Sequence, residues 1–272
     1  MSERDGRRVL LRADRPSARF SGVRARTGSP AALLATCAVL LALLIISPTV
    51  AASSTANGAR IETAPYAGAP LVYRVLTTTQ CGSVSLTHGP KFDLTSGVGR
   101  VQANASATSA ASCRTLALPS LAEAVGYFGL SSSNFTLGSG VHKLKAVWDL
   151  HWTVDLKATG AGSHSPTLQT LALVEVIVQL FDVTADAGGN ANMWTKTMNR
   201  TGATSVHFVG NQQVTVTVNS TFNATHVYQF FTVLEFADAA VVGPGSTTGQ
   251  ASAAINFATG GNGATLVAIK GL

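Results

Sequence analysis

The longest regular pattern in the chain runs from Lys143 to Ala158. Even positions read Leu144, Ala146, Trp148, Leu150, Trp152, Val154, Leu156 and Ala158, and odd positions read Lys143, Lys145, Val147, Asp149, His151, Thr153, Asp155 and Lys157. A period of two over that length predicts a long half-buried strand with both tryptophans inward, as core, and His151 outward. "LQTLALVEVIVQLFDVT" (Leu168–Thr184) is apolar on both alternations and predicts a central strand covered on both faces. Further strands are predicted at Leu71–Thr79, Gly99–Ser109, His226–Val242, Ala251–Thr259 and Ala264–Leu272. Thr204–Thr221 reads as two strands joined near Gly210–Asn211, a hairpin. One helix is predicted, "PSLAEAVGYF" (Pro119–Phe128), in which Ser120 and Glu123 have capping-box spacing. Strands separated by turn signals, with no internal repeat, imply an all-β domain: an antiparallel sandwich or jelly roll with one short helix.

What precedes this body has a different composition. Eight arginines against Glu3, Asp5 and Asp14 make residues 1–52 strongly basic, whereas six lysines and five arginines nearly balance ten carboxylates in the remainder. The high pI therefore belongs to the leader, and nothing in the body points to nucleic acid as a partner. The chain divides into a basic region (1–30), an apolar segment (31–52), a small-residue linker (53–59) and the sheet domain (60–272). "AALLATCAVLLALLII" (Ala31–Ile46) followed by Ser47, Pro48 and small residues has the make-up of a secretory signal. Val50 and Ala52 then stand at the −3 and −1 positions of a cleavage site, with Thr49 and Ala51 as the alternative register. Left uncleaved, Ala31–Ala52 is long enough to anchor the chain in a membrane. In both cases the arginines stay inside and residues 53–272 go outside.

Two short stretches carry resemblances. "GRRVLLR" (Gly6–Arg12) resembles a twin-arginine export motif, with Arg7 and Arg8 as the pair, although it stands more than twenty residues ahead of the apolar core. "RTGSPAALLATC" (Arg26–Cys37) resembles the processing region of archaeal pilins and archaellins. That second resemblance implies cleavage after Gly28 and an apolar segment retained as an assembly helix in a filament subunit. The stretch departs from the pattern in lacking an acidic residue near mature position five and in meeting Pro48 early. Signal, filament and anchor readings put the mature N-terminus near Ser53, at Ser29 and at Met1 respectively.

Outside the apolar segment, which holds Cys37, the two cysteines are Cys81 and Cys113. In an exported body they most simply form one disulfide, with a chain-entropy contribution of about 3–4 kcal/mol; a pair of buried thiols is the alternative. Five Asn-X-Ser/Thr sequons, at Asn104, Asn134, Asn199, Asn219 and Asn223, fit a glycosylated surface protein. Scarce carboxylates leave few groups whose protonation would unfold the domain, so acid tolerance is expected.

Candidate chemistry is sparse. Asp149, His151 and Asp155 share one side of the predicted strand, but neighbours there are about 6.6–7 Å apart, too far for one strand to chelate a metal. "DVTADAGGNAN" (Asp182–Asn192) sets oxygen side chains at Asp182, Thr184, Asp186, Asn190 and Asn192, an alternation that suits a Ca²⁺ loop. Ala187 and Met193, however, stand where an EF-hand needs glycine and a bidentate glutamate, so an ordinary Asx/Gly loop is the plainer reading. Glu175 and Glu235 each interrupt an apolar strand face, where burial raises a carboxyl toward general-acid duty. Across a concave sheet they could act as a glycosidase pair, but no aromatic lies beside either glutamate in sequence to bind a sugar, and exposed or hydrogen-bonded structural glutamates are the plainer reading. No Gly-x-Ser-x-Gly elbow, His-Glu-x-x-His or phosphate-binding glycine loop occurs. The sequence therefore predicts an exported cell-surface glycoprotein, structural, adhesive or binding, meeting glycans or surface proteins without evident catalysis. The alternatives are a pilin-like subunit and a jelly-roll carbohydrate-active enzyme.

Overall fold

A computed structural model describes residues 54–55, 66–79, 81–109, 119–161, 168–243 and 248–271. Its strands, in chain order, are β1 (Ser54–Thr55), β2 (Gly68–Thr78), β3 (Gly82–Asp93), β4 (Val98–Thr108), β5 (Ser120–Ser132), β6 (Phe135–Thr136), β7 (Gly140–Ala161), β8 (Leu168–Asp182), β9 (Ala187–Thr201), β10 (Thr204–Phe222), β11 (Tyr228–Val242), β12 (Thr248–Asn256) and β13 (Gly263–Gly271). They form two sheets. The main strands of sheet A run β2-β5-β11-β8-β9, and those of sheet B run β3-β4, then β12 and β13, then β7-β10. Pairing is antiparallel throughout, except that β1, inside the stretch read as a linker, pairs in parallel with β6. Most connections cross between the sheets, which makes a β-sandwich. Among the described residues there is no helix. The apolar segment 31–52 lies outside them.

The period-two stretch is β7, 22 residues long. One of its edges pairs with β10 along residues 140–158. The other is shared by β12, along residues 153–161, and β13, along residues 144–151. Trp148 is fully buried and Trp152 is 3% exposed, the inward placement their parity predicts. Aromatic rings then run through the interior from Phe92 to Trp148, Phe128, Phe257, Trp152 and Trp194, with successive centroids 5.9–6.4 Å apart. Such edge-on and offset ring contacts add to the burial energy of the aromatics themselves. Between the sheets, the indole Nε1 of Trp148 donates to Thr232 Oγ1 of β11 at 2.8 Å.

Two predicted elements differ. The stretch read as a helix is β5: Ala122, Ala124, Phe128 and Leu130 face the core in alternation, and the strand is held between β2 and β11. Pairing on both edges from Ala122 to Ser131 takes up the backbone groups of the strand, and this outweighs the helix propensity of Leu, Ala and Glu. The predicted hairpin is the single strand β10, which passes straight through Gly210 and Asn211. Gly210 faces Trp152 in the β7 register, and a Cβ there would lie 2.1 Å from the indole ring. The glycine makes room for a tryptophan and does not mark a turn. Gly99 does the same for Phe128, whose ring a Cβ would approach to 1.9 Å.

Gly210→Val is expected to destabilise the domain by about 1–3 kcal/mol through overpacking against Trp152. Urea unfolding checks this; an unchanged midpoint would contradict the close approach of Gly210 to Trp152.

Candidate functional site

Because Thr232 of β11 faces inward, so do Leu234 and Phe236, and the alternate residues Val233, Glu235 and Ala237 face outward. The registers of sheet A carry that outward row across five strands. Tyr73 of β2 lies opposite Tyr127 of β5, Tyr127 opposite Glu235, Glu235 opposite Glu175 of β8, and Glu175 opposite Thr195 of β9. The two tyrosine rings stack at 5.4 Å and 22°. Thr195 Oγ1 donates to Glu175 Oε1 at 3.0 Å. The rungs on either side are apolar, with Val233 and Ile177 on one and Val125, Ala237 and Leu173 on the other. None of the described lysines or arginines stands on this face.

The electrostatics follow from burial without a counter-charge. Glu235 is 2% exposed and its Oε1 has no hydrogen-bond partner. Burial first, and the neighbouring Glu175 second, push its carboxyl up to about 8. Burial also raises Glu175, with the Thr195 hydroxyl offsetting part of the rise. Two such carboxyls, opposed across the ladder, titrate as a pair whose doubly charged form is disfavoured. Tyr127 is raised by burial, then by Tyr73 and Glu235. Glu123, two rungs along opposite Ala239, is raised by burial alone. The face therefore sets half-buried Tyr73 and Tyr127 and exposed Thr195 beside glutamates whose charged forms burial disfavours, in an apolar surround.

The sequence flagged Glu175 and Glu235, and the fold brings them together as direct cross-strand neighbours. It did not flag Tyr73 or Tyr127, which join the glutamates only through register and are distant from them along the chain. Nor did it flag Asp238. That carboxyl faces the core side of β11, fully buried, and neither of its oxygens has a hydrogen-bond partner. Burial pushes it well above the usual carboxylate range, and the nearby backbone of Ala105 offsets only part.

Other flagged residues lie elsewhere. Asp149, His151 and Asp155 line the outer face of sheet B, with His151 Nε2 3.4 Å from Asp149 and His207 Nδ1 of β10 2.9 Å from Asp155. These are exposed pairs of the kind that contribute little. In the stretch read as a calcium loop, only residues 183–186 form the turn, and β9 carries Asn190 and Asn192 away along a strand. Asp182 Oδ1 accepts the Ala185 amide at 3.0 Å, its Oδ2 meets His226 Nδ1 at 2.7 Å, and Thr184 Oγ1 accepts the Val227 amide at 2.9 Å. Burial would raise Asp182, but the His226 and backbone interactions outweigh it and hold the carboxyl below its usual value. Asp186 turns the chain with a φ of 48°, and the Asn190 amide donates to the Asn219 carbonyl at 2.6 Å. Among the described residues, no three His, Cys, Asp or Glu side chains group to hold a metal ion. Cys113, the expected partner of Cys81, lies outside the described residues. Of the sequon asparagines, Asn104, Asn199, Asn219 and Asn223 are exposed, while Asn134 is only 7% exposed.

The glutamate pair gives stability a pH dependence. The folded value of Glu235, about 8, lies above the ordinary 4.5, so the protonated form favours the fold. Its contribution is fully present below the unfolded value and is lost as pH rises through the folded one. The melting temperature is expected to fall between about pH 5 and pH 8, and Glu235→Gln, which fixes a neutral side chain, is expected to lessen that fall. Identical pH profiles for the two proteins would contradict the assignment.

No family model matches the chain, and no curated protein matches it. Among solved structures, it is similar to TmCBM61 in complex with β-1,4-galactotriose at 8% identity and a TM-score of 0.18, over 73% of this chain and 87% of that one. It is also similar to the enzymatically active domain of bacteriophage CBA120 tailspike protein 4 at 14% identity and a TM-score of 0.18, over 66% of this chain and 18% of that one. Likenesses of that size carry no inference about the site.

Proposed function

We propose that this chain is an exported, surface-displayed β-sandwich protein that binds a neutral carbohydrate on the outer face of sheet A, without catalysis. The observation that carries the reading is the rung Tyr73–Tyr127–Glu235–Glu175–Thr195 on a face without cations. Sugars combine apolar C–H faces with many neutral hydroxyls, and aromatic rings beside uncharged donors and acceptors suit both. That no described lysine or arginine stands on this face disfavours phosphate or sulfate ligands. The basic leader, the signal-like segment 31–52 and the five sequons support display outside a membrane. The disulfide between Cys81 and Cys113 belongs to the same reading, as do calcium-free loops at Asp182–Asn192.

The direct opposition of Glu175 and Glu235 favours a second reading, a carbohydrate-active enzyme. Directly opposed residues have Cβ atoms about 4.5–5.5 Å apart, close to the carboxyl spacing of retaining glycosidases. Against it, Glu235 is too enclosed to meet a glycosidic oxygen without movement of its neighbours. In that reading the wild type would release reducing ends from a polysaccharide panel and Glu175→Gln would not.

Screening the folded chain on an oligosaccharide array, followed by calorimetry, tests the binding reading. Tyr73→Ala is expected to weaken binding about tenfold, roughly the 1.4 kcal/mol of one lost aromatic contact. An array without a bound sugar, or equal affinity in the variant, would refute it.

A further inference from the structure

The five sequons are equivalent in sequence but not in the fold. Asn104, Asn199 and Asn219 lie within β4, β9 and β10, so each Asn-X-Ser/Thr tripeptide is extended and hydrogen-bonded into a sheet. Asn134 is exposed too little to carry a sugar without displacing its surroundings. Asn223 differs: with Ala224 and Thr225 it occupies the loop between β10 and β11.

That loop is folded into a turn by the sequon itself. The Asn223 side-chain carbonyl Oδ1 accepts both the Thr225 amide, at 3.0 Å, and the Thr225 hydroxyl, at 2.9 Å. Both bonds fix the side chain through Oδ1, and Nδ2 makes no hydrogen bond to another described residue. Tethers on either side hold the turn in place. The Asn223 amide donates to the Tyr228 hydroxyl at 2.8 Å, Ala224 N donates to Ser139 Oγ at 3.1 Å, and His226 is bonded to Asp182. Asn223, Ala224 and Thr225 are all exposed.

We infer that Asn223 is the N-glycosylation site of the folded domain, presented in a turn that an oligosaccharyltransferase can take without unfolding a strand. In the transfer, Asn223 Nδ2 attacks the anomeric carbon of a lipid-diphosphate-linked oligosaccharide. A carbon–nitrogen bond forms, the bond from that carbon to the phosphate oxygen breaks, the lipid diphosphate leaves, and one amide proton is lost to base. The other four sequons are open to the enzyme only before the sheets close. The inference concerns the folded chain alone and holds whether or not sheet A binds sugar.

The test uses the full chain, folded and urea-denatured, with a single-subunit oligosaccharyltransferase that accepts Asn-X-Thr without flanking requirements, together with its lipid-diphosphate oligosaccharide donor. Glycopeptide mapping is expected to find Asn223 occupied in the folded chain at least ten times more than any other sequon, and that preference lost in the denatured chain. Asn223→Gln is expected to remove nearly all modification of the folded chain. An unmodified Asn223 in folded protein, or occupancy equal to that of Asn104, Asn199 or Asn219, would overturn the inference. A preference that persists unchanged after denaturation would overturn it too, because the tripeptide and not the turn would then decide.

Discussion

The register of β11 between β5 and β8 is the constraint on which the rest depends. With Thr232 turned inward, its hydroxyl meets the Trp148 indole and ties sheet A to sheet B at the centre of the aromatic interior. The same register turns Glu235 outward between Tyr127 and Glu175. A slip of one residue would exchange the two faces, driving Glu235 into the core and stranding the indole donor. The core and the candidate binding face are thus two consequences of one alignment, and neither can be altered along β11 without the other.

That alignment also explains why sheet A concentrates the buried acids of the domain. Glu123, Glu175 and Glu235 lie on the outer face of β5, β8 and β11 without a described lysine or arginine facing them, Asp238 lies on the core side of β11, and burial raises all four. The scarcity of carboxylates in the sequence already implied acid tolerance. The fold adds a reason of opposite origin: burial disfavours the charged form of several of the carboxylates present. The stability these four groups contribute is present in acid and lost as the pH rises, the reverse of what Asp93 and Asp182, held below their usual values, contribute.

Most strands were legible in the sequence because period-two alternation is a local property. β7, β8 and β11 stand where Leu144–Ala158, Leu168–Thr184 and His226–Val242 predict them. The errors came where a residue type has two physical uses. Gly210 suggests a turn when read alone, yet serves as space for Trp152 across the sheet; Ala and Glu in β5 suggest a helix, yet fit a central strand whose neighbours press close on both faces. Glu175 and Glu235 could be singled out because each interrupts its own apolar run. Tyr73 and Tyr127 could not, because their bearing on the glutamates depends on which strands pair and in what register, and a single sequence does not carry that. The turn at Asn223 has a local cause, the short reach of its own side chain, but its exposure is set by strands far away in sequence.

The most direct test of the central claim is a map of where ligand touches the protein. Backbone and side-chain chemical shifts would be followed during titration with an oligosaccharide that binds. The account predicts perturbations along Tyr73, Tyr127, Glu175 and Thr195, fading toward the edges of sheet A, with Lys143–Lys157 on the outer face of sheet B unmoved. Shifts confined to sheet B or to the loops at the ends of the sandwich would contradict it.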